Sequence, residues 1–290
     1  MPRNVEPSVY LIAKTQIQGA SLDKWLANLG VDIPARDRIL DGNKSSAEIL
    51  VEVAGRRCYM SFQPGLNPNV TKIRKDILVY IDNLLAKKDG SVLEHVTFTF
   101  AIENVSRVFT GEMNRHRAGT AISEASMRYI RYNDIPYWIP TCWKQDETAF
   151  SKIVDLGHGS AIHDVDSKEA ASRYVMHEAF KDAQTHYQAL VDIWKDELES
   201  EGVNAFAKKK EITSAMRRII PMGVATGGVW SGNIRALRHI FEMRCSPFAE
   251  EEILLVASML LNVMRDCEPV LFGDFNTDEL GFSKPKYSKV

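Results

Sequence analysis

The sequence predicts an α+β fold dominated by helix, and two patterns carry that prediction. In HVTFTFAIE (95–103) Val96, Phe98, Phe100 and Ile102 alternate with Thr97, Thr99 and Ala101, the period of a half-buried strand. Elsewhere apolar residues return at helical spacing over segments separated by Pro- and Gly-rich punctuation, with no repeats and no low-complexity tract. At 290 residues, 45% of them hydrophobic, the chain can bury a substantial core and is expected to form a single domain over 1–290.

VYLIAKT (8–14) reads as a strand, and SLDKWLANL (21–29) as a short amphipathic helix with Ser21 as its N-cap. A helix is expected over 46–60, a turn-rich connector over 63–69, and a further helix over 70–87 ending at the loop KKDGS. The strand at 95–103 passes into a helical pattern from Val105 to Asn114, and a loop containing Gly119 follows. Residues 133–164, with Pro136, Pro140, Gly157 and Gly159, read as an irregular insertion. A long helix is expected over 167–200, started by a capping box of Asp166 and Glu169. A shorter one covers 209–219 and stops before Pro221, GVATGGVWSG (223–232) reads as a Gly-rich turn, and a helix spans 233–245. Ser246 and Pro247 supply an N-cap and N1 pair for the last helix, 247–267.

A formal charge of -2 leaves no excess of cations for a long phosphate backbone, so nucleic acid is not the expected partner. The longest apolar run, 253–264, is too short to span a bilayer, and MPRNVEPSVYL lacks the apolar stretch of a secretory signal; a cytoplasmic protein without membrane contact is expected. Cys58, Cys142, Cys245 and Cys267 are scattered without metal-ligand spacing and read as reduced, mostly buried thiols and not as activated nucleophiles. His158, His163 and Asp164 lack a helical or ribbon frame for a metal, so none is expected, and His95 and His177 read as core or supporting residues. Neither a Rossmann nor a P-loop fingerprint is present.

Against that charge balance, NRHRAGTAISEASMRYIRY (114–132) concentrates Arg115, His116, Arg117, Arg128 and Arg131. Arg217 and Arg218 end one helix, and Arg235, His239 and Arg244 recur on roughly one side of the next. Guanidinium forks suit phosphates and pyrimidine edges, so the two segments can converge on a nucleotide. The residues alone equally allow a surface network of salt bridges with Glu112 and Glu124.

RHRAGTAISEASMRY resembles the signature of the flavin-dependent thymidylate synthases: an Arg-His-Arg triplet (Arg115, His116, Arg117), a loop, then Glu124, Ser126, Arg128 and Tyr129 in Glu-x-Ser-x-Arg-Tyr. SVLEHVTFTF (91–100), MRRIIPMG (216–223) and NIRALRHIFEMR (233–244) are similar to three further segments of that family, in the same order, over about 46–265. The resemblance implies a helix-rich fold with a mainly antiparallel sheet, assembled as a homotetramer whose subunits share each site. It also implies transfer of a methylene from methylenetetrahydrofolate to C5 of dUMP with FAD and NADPH, and no cysteine nucleophile. By resemblance, Ser91, Arg115, His116, Arg117, Glu124, Asn233, Arg235 and His239 contact FAD. Glu112, Arg115, Glu124, Ser126, Arg128, Tyr129, Arg217 and Arg244 contact the nucleotide, with Arg244 catalytic. The chain departs from the family pattern in three places. The loop between Arg117 and Ser126 is one residue longer than in the commoner form, Glu112 replaces a frequent Gln, and Asp89 a frequent His. These departures leave UMP, the ribose analogue, as the alternative substrate, and a non-catalytic nucleotide-binding homologue as the alternative role.

Overall fold

The computed structural model describes residues 2–149, 154–157, 160–162, 166–202 and 204–290, with backbone alone at 154–157 and 160–162. The chain clusters into two compact units, the first comprising Met1–Ser8, Ile102–Asn114 and Ser123–Gly228, the second Val9–Ala101, Arg115–Ile122 and Val229–Val290. In order, the elements are β1 (Arg3–Asn4), β2 (Ser8–Lys14), α1 (Gly19–Asn28), α2 (Ile33–Ile39), α3 (Ser46–Tyr59), α4 (Ile77–Lys87), β3 (Thr97–Ser106) and α5 (Arg107–Met113). Then come β4 (Thr120–Glu124), β5 (Pro136–Tyr137), β6 (Val154–Gly157), β7 (Ser160–Ile162), α6 (Lys168–Ile193), α7 (Lys195–Glu199) and α8 (Ala205–Met216). The chain ends with β8 (Ala225–Asn233), α9 (Ile234–Arg244), α10 (Glu251–Cys267), α11 (Pro269–Phe272), β9 (Phe275–Thr277) and β10 (Ser283–Pro285).

The expected helix-rich α+β class holds. The main sheet has the order β2-β3-β8-β4, and antiparallel pairs also join β6 to β7 and β9 to β10, whereas β1 runs parallel to β5. Along β3 the alternation read from sequence is realised, with Val96, Phe98, Phe100 and Ile102 all at most 2% exposed. No helix among the described residues is long and apolar enough to cross a membrane.

Within the second unit, Leu26, Val31, Ala35, Ile39, Ile49, Val53 and Phe62 pack α1, α2 and α3 together. α3 begins with a full capping box between Ser45 and Glu48, and buries an ion pair between Glu52 and Arg56 at 2.7 Å, with Lys44 also 2.7 Å from Glu52. Within the first unit, Tyr132, Tyr137, Phe180, Tyr187, Ile212 and Met216 are the heart of a second apolar cluster around α6 and α8, in which the Tyr137 and Phe180 rings stack at 4.6 Å.

Several expectations are corrected. GVATGGVWSG is not a turn, because residues 225–233 form β8; Gly227 lies against the Glu103 side chain, where a Cβ would collide with the carboxylate. The loop after Gly119 becomes β4, and α2 stands where no element was expected. Helix starts move with their caps: Gln18 rather than Ser21 precedes α1, Asp76 caps α4, Ser167 rather than Asp166 caps α6, and Glu250 rather than Ser246 caps α10. Glu169 instead accepts from the Thr148 amide at 3.1 Å. α8 starts four residues earlier than expected, and the chain at Arg217–Ile219 tightens into a 3₁₀ turn. Cys58 and Cys142 are exposed rather than buried, and His95 is exposed. His158, His163 and Asp164 lie outside the described residues.

Candidate active site

In the second unit, α9 organises the residues. Asn233 caps it, its Oδ1 accepting from the Ala236 amide at 2.8 Å, while its own amide donates to the Gly119 carbonyl at 2.9 Å. Gly119 has φ +71°, and a Cβ there would stand 2.6 Å from the Asn233 amide group; the RHR loop and the start of α9 meet at a position only glycine fits. Four positions further on from Arg235, His239 is exposed, and its ring meets the His116 ring edge-on at 6.1 Å. Arg244, half-buried at the end of α9, donates through Nε to His116 Nε2 at 2.9 Å. That bond requires an unprotonated Nε2. Burial, with Arg244, His239 and Arg115 nearby, pushes the His116 pKa down to about 4, so the ring is a neutral acceptor near neutral pH.

Arg115 and Arg117 are exposed and have no carboxylate partner among the described residues. Arg235 bonds Glu94 Oε1 at 2.5 Å and the Val290 carbonyl at 3.2 Å; the Cβ-less Gly90 lets both approach, and Ser91 follows it, exposed. The arginines and imidazoles along α9 and on the loop that Gly119 ties to its N-cap are a donor set that fits the diphosphate of a dinucleotide such as FAD.

The first unit positions the remaining residues through short-range contacts. Glu124 pairs with Arg107 Nη1 and accepts from Asn114 Nδ2 at 3.2 Å, while Arg107 Nη2 donates to the Ala125 carbonyl at 2.6 Å. Glu124 is therefore neutralised by an arginine outside the signature and not by the RHR triplet. Ser126 opens a turn in which its carbonyl accepts from the Tyr129 and Ile130 amides at 3.0 and 3.2 Å. α8 holds that turn: the buried Thr213 hydroxyl donates to the Arg128 carbonyl, and Phe206 stacks on Tyr129 with ring centroids 5.9 Å apart. Arg128 and the exposed Arg217 have no carboxylate partner among the described residues. Arg131, which the signature leaves without a role, donates to the Leu198 carbonyl at 2.7 Å and is structural. Glu112 is half-buried on α5.

Of the fourteen residues assigned by resemblance, the second unit holds Ser91, Arg115, His116, Arg117, Asn233, Arg235, His239 and Arg244; the first holds Glu112, Glu124, Ser126, Arg128, Tyr129 and Arg217. Arg107, Phe206 and Lys210 were not found from sequence. Arg107 looks like any first-turn residue, and the α8 residues reach Tyr129 only through a tertiary contact. Among the described residues no three His, Cys, Asp or Glu side chains are placed to hold a metal. Cys245 is buried, and burial pushes its thiol up to about 11, so it is no thiolate nucleophile.

The sequence profile of the family described as thymidylate synthase complementing protein matches residues 39–270. A flavin-dependent thymidylate synthase of Corynebacterium aurimucosum is 30% identical over 83% of this chain and 85% of its own length, and one of Corynebacterium efficiens is 29% identical over 97% and 94%. In fold, the chain is similar to the crystal structure of a UMP/dUMP methylase PolB from Streptomyces cacaoi bound with 5-Br UMP, with a TM-score of 0.61, 17% identity and coverage of 94% of this chain and 96% of that one. With the profile covering most of its length and a curated relative 30% identical over most of both chains, the chain belongs to the family of flavin-dependent thymidylate synthases, enzymes that methylate pyrimidine nucleotides.

Proposed function

We propose that this protein converts dUMP to dTMP, with FAD bound, methylenetetrahydrofolate as carbon donor and NADPH as reductant, as a cytoplasmic homotetramer. One observation carries the reading: Arg115, Arg117, Arg128 and Arg217 stand without carboxylate partners among the described residues, while Arg107 removes Glu124 from competition for them. Such guanidinium groups are complementary to bound anions, and a salt-bridge network would have consumed them.

Arg128, Ser126 and Arg217 hold the nucleotide phosphate. Arg244 lies against the uracil edge, where its charge stabilises negative charge spreading onto N3 and O4 and makes C5 more nucleophilic. His116, as a neutral acceptor at Nε2, orients that guanidinium and adds no competing positive charge. Arg115, Arg117, Asn233, Arg235 and His239, with Ser91 and Glu124, hold the flavin, which supplies the redox chemistry when bound. The buried, protonated Cys245 agrees with a route that forms no bond between enzyme sulfur and pyrimidine.

A second reading, UMP as substrate, is kept open by the fold neighbour, whose structures hold both 5-Br UMP and 5-Br dUMP. The visible spectrum of the flavin-loaded protein, titrated with dUMP and with UMP, tests both. Perturbation by dUMP at much lower concentration is the expected result. The reverse order assigns the ribose substrate, and a protein that neither holds flavin nor responds to nucleotide overturns the proposal.

A further inference from the structure

Away from the signature residues, the second unit gathers three element ends around one carboxylate. Lys14 ends β2, Ser45 caps α3, and Cys267 ends α10 with Glu268 directly after it. Glu268 is 1% exposed; its Oε2 accepts from the Ser45 hydroxyl at 2.5 Å, and its Oε1 lies 3.4 Å from Lys14 Nζ. The same Nζ donates to Cys267 Sγ at 3.4 Å, and that thiol stands 3.8 Å from Glu268 Oε1. Lys14, Cys267 and Glu268 thus close a triangle of amine, thiol and carboxylate. Its outer side is open to water, because the Lys14 side chain is 38% exposed and Cys267 is half-buried. None of the three has a part in the proposed reaction. Lys14 and Cys267 are 253 residues apart, so no local pattern announces the pair.

A thiol beside an ammonium group is favoured as the thiolate, the form that oxidants attack. Here a nucleophilic amine is already in contact with the sulfur that would be oxidised. We propose that dioxygen joins Lys14 to Cys267 through a nitrogen–oxygen–sulfur bridge, a reversible clamp between β2 and α10. Lys14 first passes its ammonium proton to Glu268, which faces both partners. One N–H bond of the amine and the S–H bond of the thiol then break, and N–O and O–S bonds form around one oxygen atom. The two hydrogens leave with the second oxygen atom as water; nitrogen and sulfur are oxidised and dioxygen is reduced. The separation favours an inserted oxygen over a direct nitrogen–sulfur bond. A direct bond is far shorter than the present 3.4 Å and would pull both elements together, whereas a single oxygen spans most of that gap.

The test holds the intact, flavin-loaded protein in air-saturated buffer and follows its mass and the peptides that carry Lys14 and Cys267. The expected product is one cross-linked peptide pair that has gained one oxygen and lost two hydrogens. It is reversed by dithiothreitol and absent from protein kept anaerobic. Lys14→Arg keeps a cation beside Glu268 but offers no free amine, and it abolishes the bridge, as does Cys267→Ser. Cys58→Ser forms the bridge as the parent does. Equal melting temperatures of the reduced parent and Lys14→Arg separate loss of the bridge from misfolding. In the parent, bridging raises the melting temperature by about 5–10 °C, the scale expected when so long a loop is closed. A parent that stays unbridged in air, or ends with sulfinic acid on Cys267, overturns the proposal, as does a cross-link that survives in Lys14→Arg. A pair joined without added oxygen overturns the inserted atom, and a bridge without a rise in melting temperature overturns the clamp.

Discussion

In the second unit, the signature side chains stand outward from backbone anchors: Asn233 fastens α9 to Gly119, and Arg115, Arg117 and His239 are left exposed. In the first unit, the signature residues are already engaged within the chain, Glu124 by Arg107 and Asn114, the Arg128 carbonyl by Thr213, and Tyr129 by Phe206 and Lys210. One region resembles an open set of charges waiting for counter-charge, the other a pre-arranged pocket wall. The difference teaches that a single motif can combine two kinds of binding surface. An accumulation of like charge relies on its ligand for neutralisation, while a pre-paired surface supplies shape before the ligand comes.

The comparison can be broken at its chemical end first. Arg244→Ala is expected to lower kcat by about 10²–10³-fold while flavin stays bound, since it removes a charge directed at the reacting ring; single-turnover rates and the visible spectrum check it. Next, Arg107→Ala leaves the half-buried Glu124 with Asn114 as its remaining described partner. A stability loss of about 1–3 kcal/mol is expected, with a raised nucleotide KM and unchanged flavin affinity, measured by chemical denaturation and steady-state kinetics. Gly119→Ala sharpens the other side. Its left-handed φ costs on the order of 1–2 kcal/mol, and the new methyl presses on Asn233, so flavin affinity falls while the Tyr129 turn is untouched; a flavin titration reads this.

The smallest effect is a pH dependence. Because the folded His116 pKa is about 4 and the unfolded value lies near 6.5, the unfolded chain binds more protons between them. The contribution of His116 to stability is complete above pH ~6.5 and declines as pH falls towards ~4. His116→Asn should flatten the slope of unfolding free energy against pH in that window; an unchanged slope would show that the imidazole is no neutral acceptor.

Much of this was legible before any coordinates. The alternation in HVTFTFAIE gave β3 because one face of that strand is fully buried, and α9 was bounded correctly since Asn233 is a strong cap. β8 was misread for a physical reason: Gly227 makes room for Glu103, and a glycine that serves close approach looks, in one dimension, like a glycine that serves a turn. α10 starts after Glu250, a residue weakly associated with caps, and α1 after Gln18, which makes no side-chain cap, so the better-looking Ser21 and Ser246 were passed over. The signature itself was readable, but the partners of its side chains were not. Arg107, Lys210 and Phe206 become relevant through contacts spanning 17 to 81 residues of chain, and no local pattern encodes those.

The cysteines have a practical consequence. One exposed cysteine falls in each unit, Cys142 in the first and Cys58 in the second, while Cys245 is sealed and protonated. With the half-buried Cys267 replaced by serine, maleimide dyes should attach at these two native positions without touching the chemistry. Energy transfer between that pair would report whether adding flavin or nucleotide changes the distance from one unit to the other.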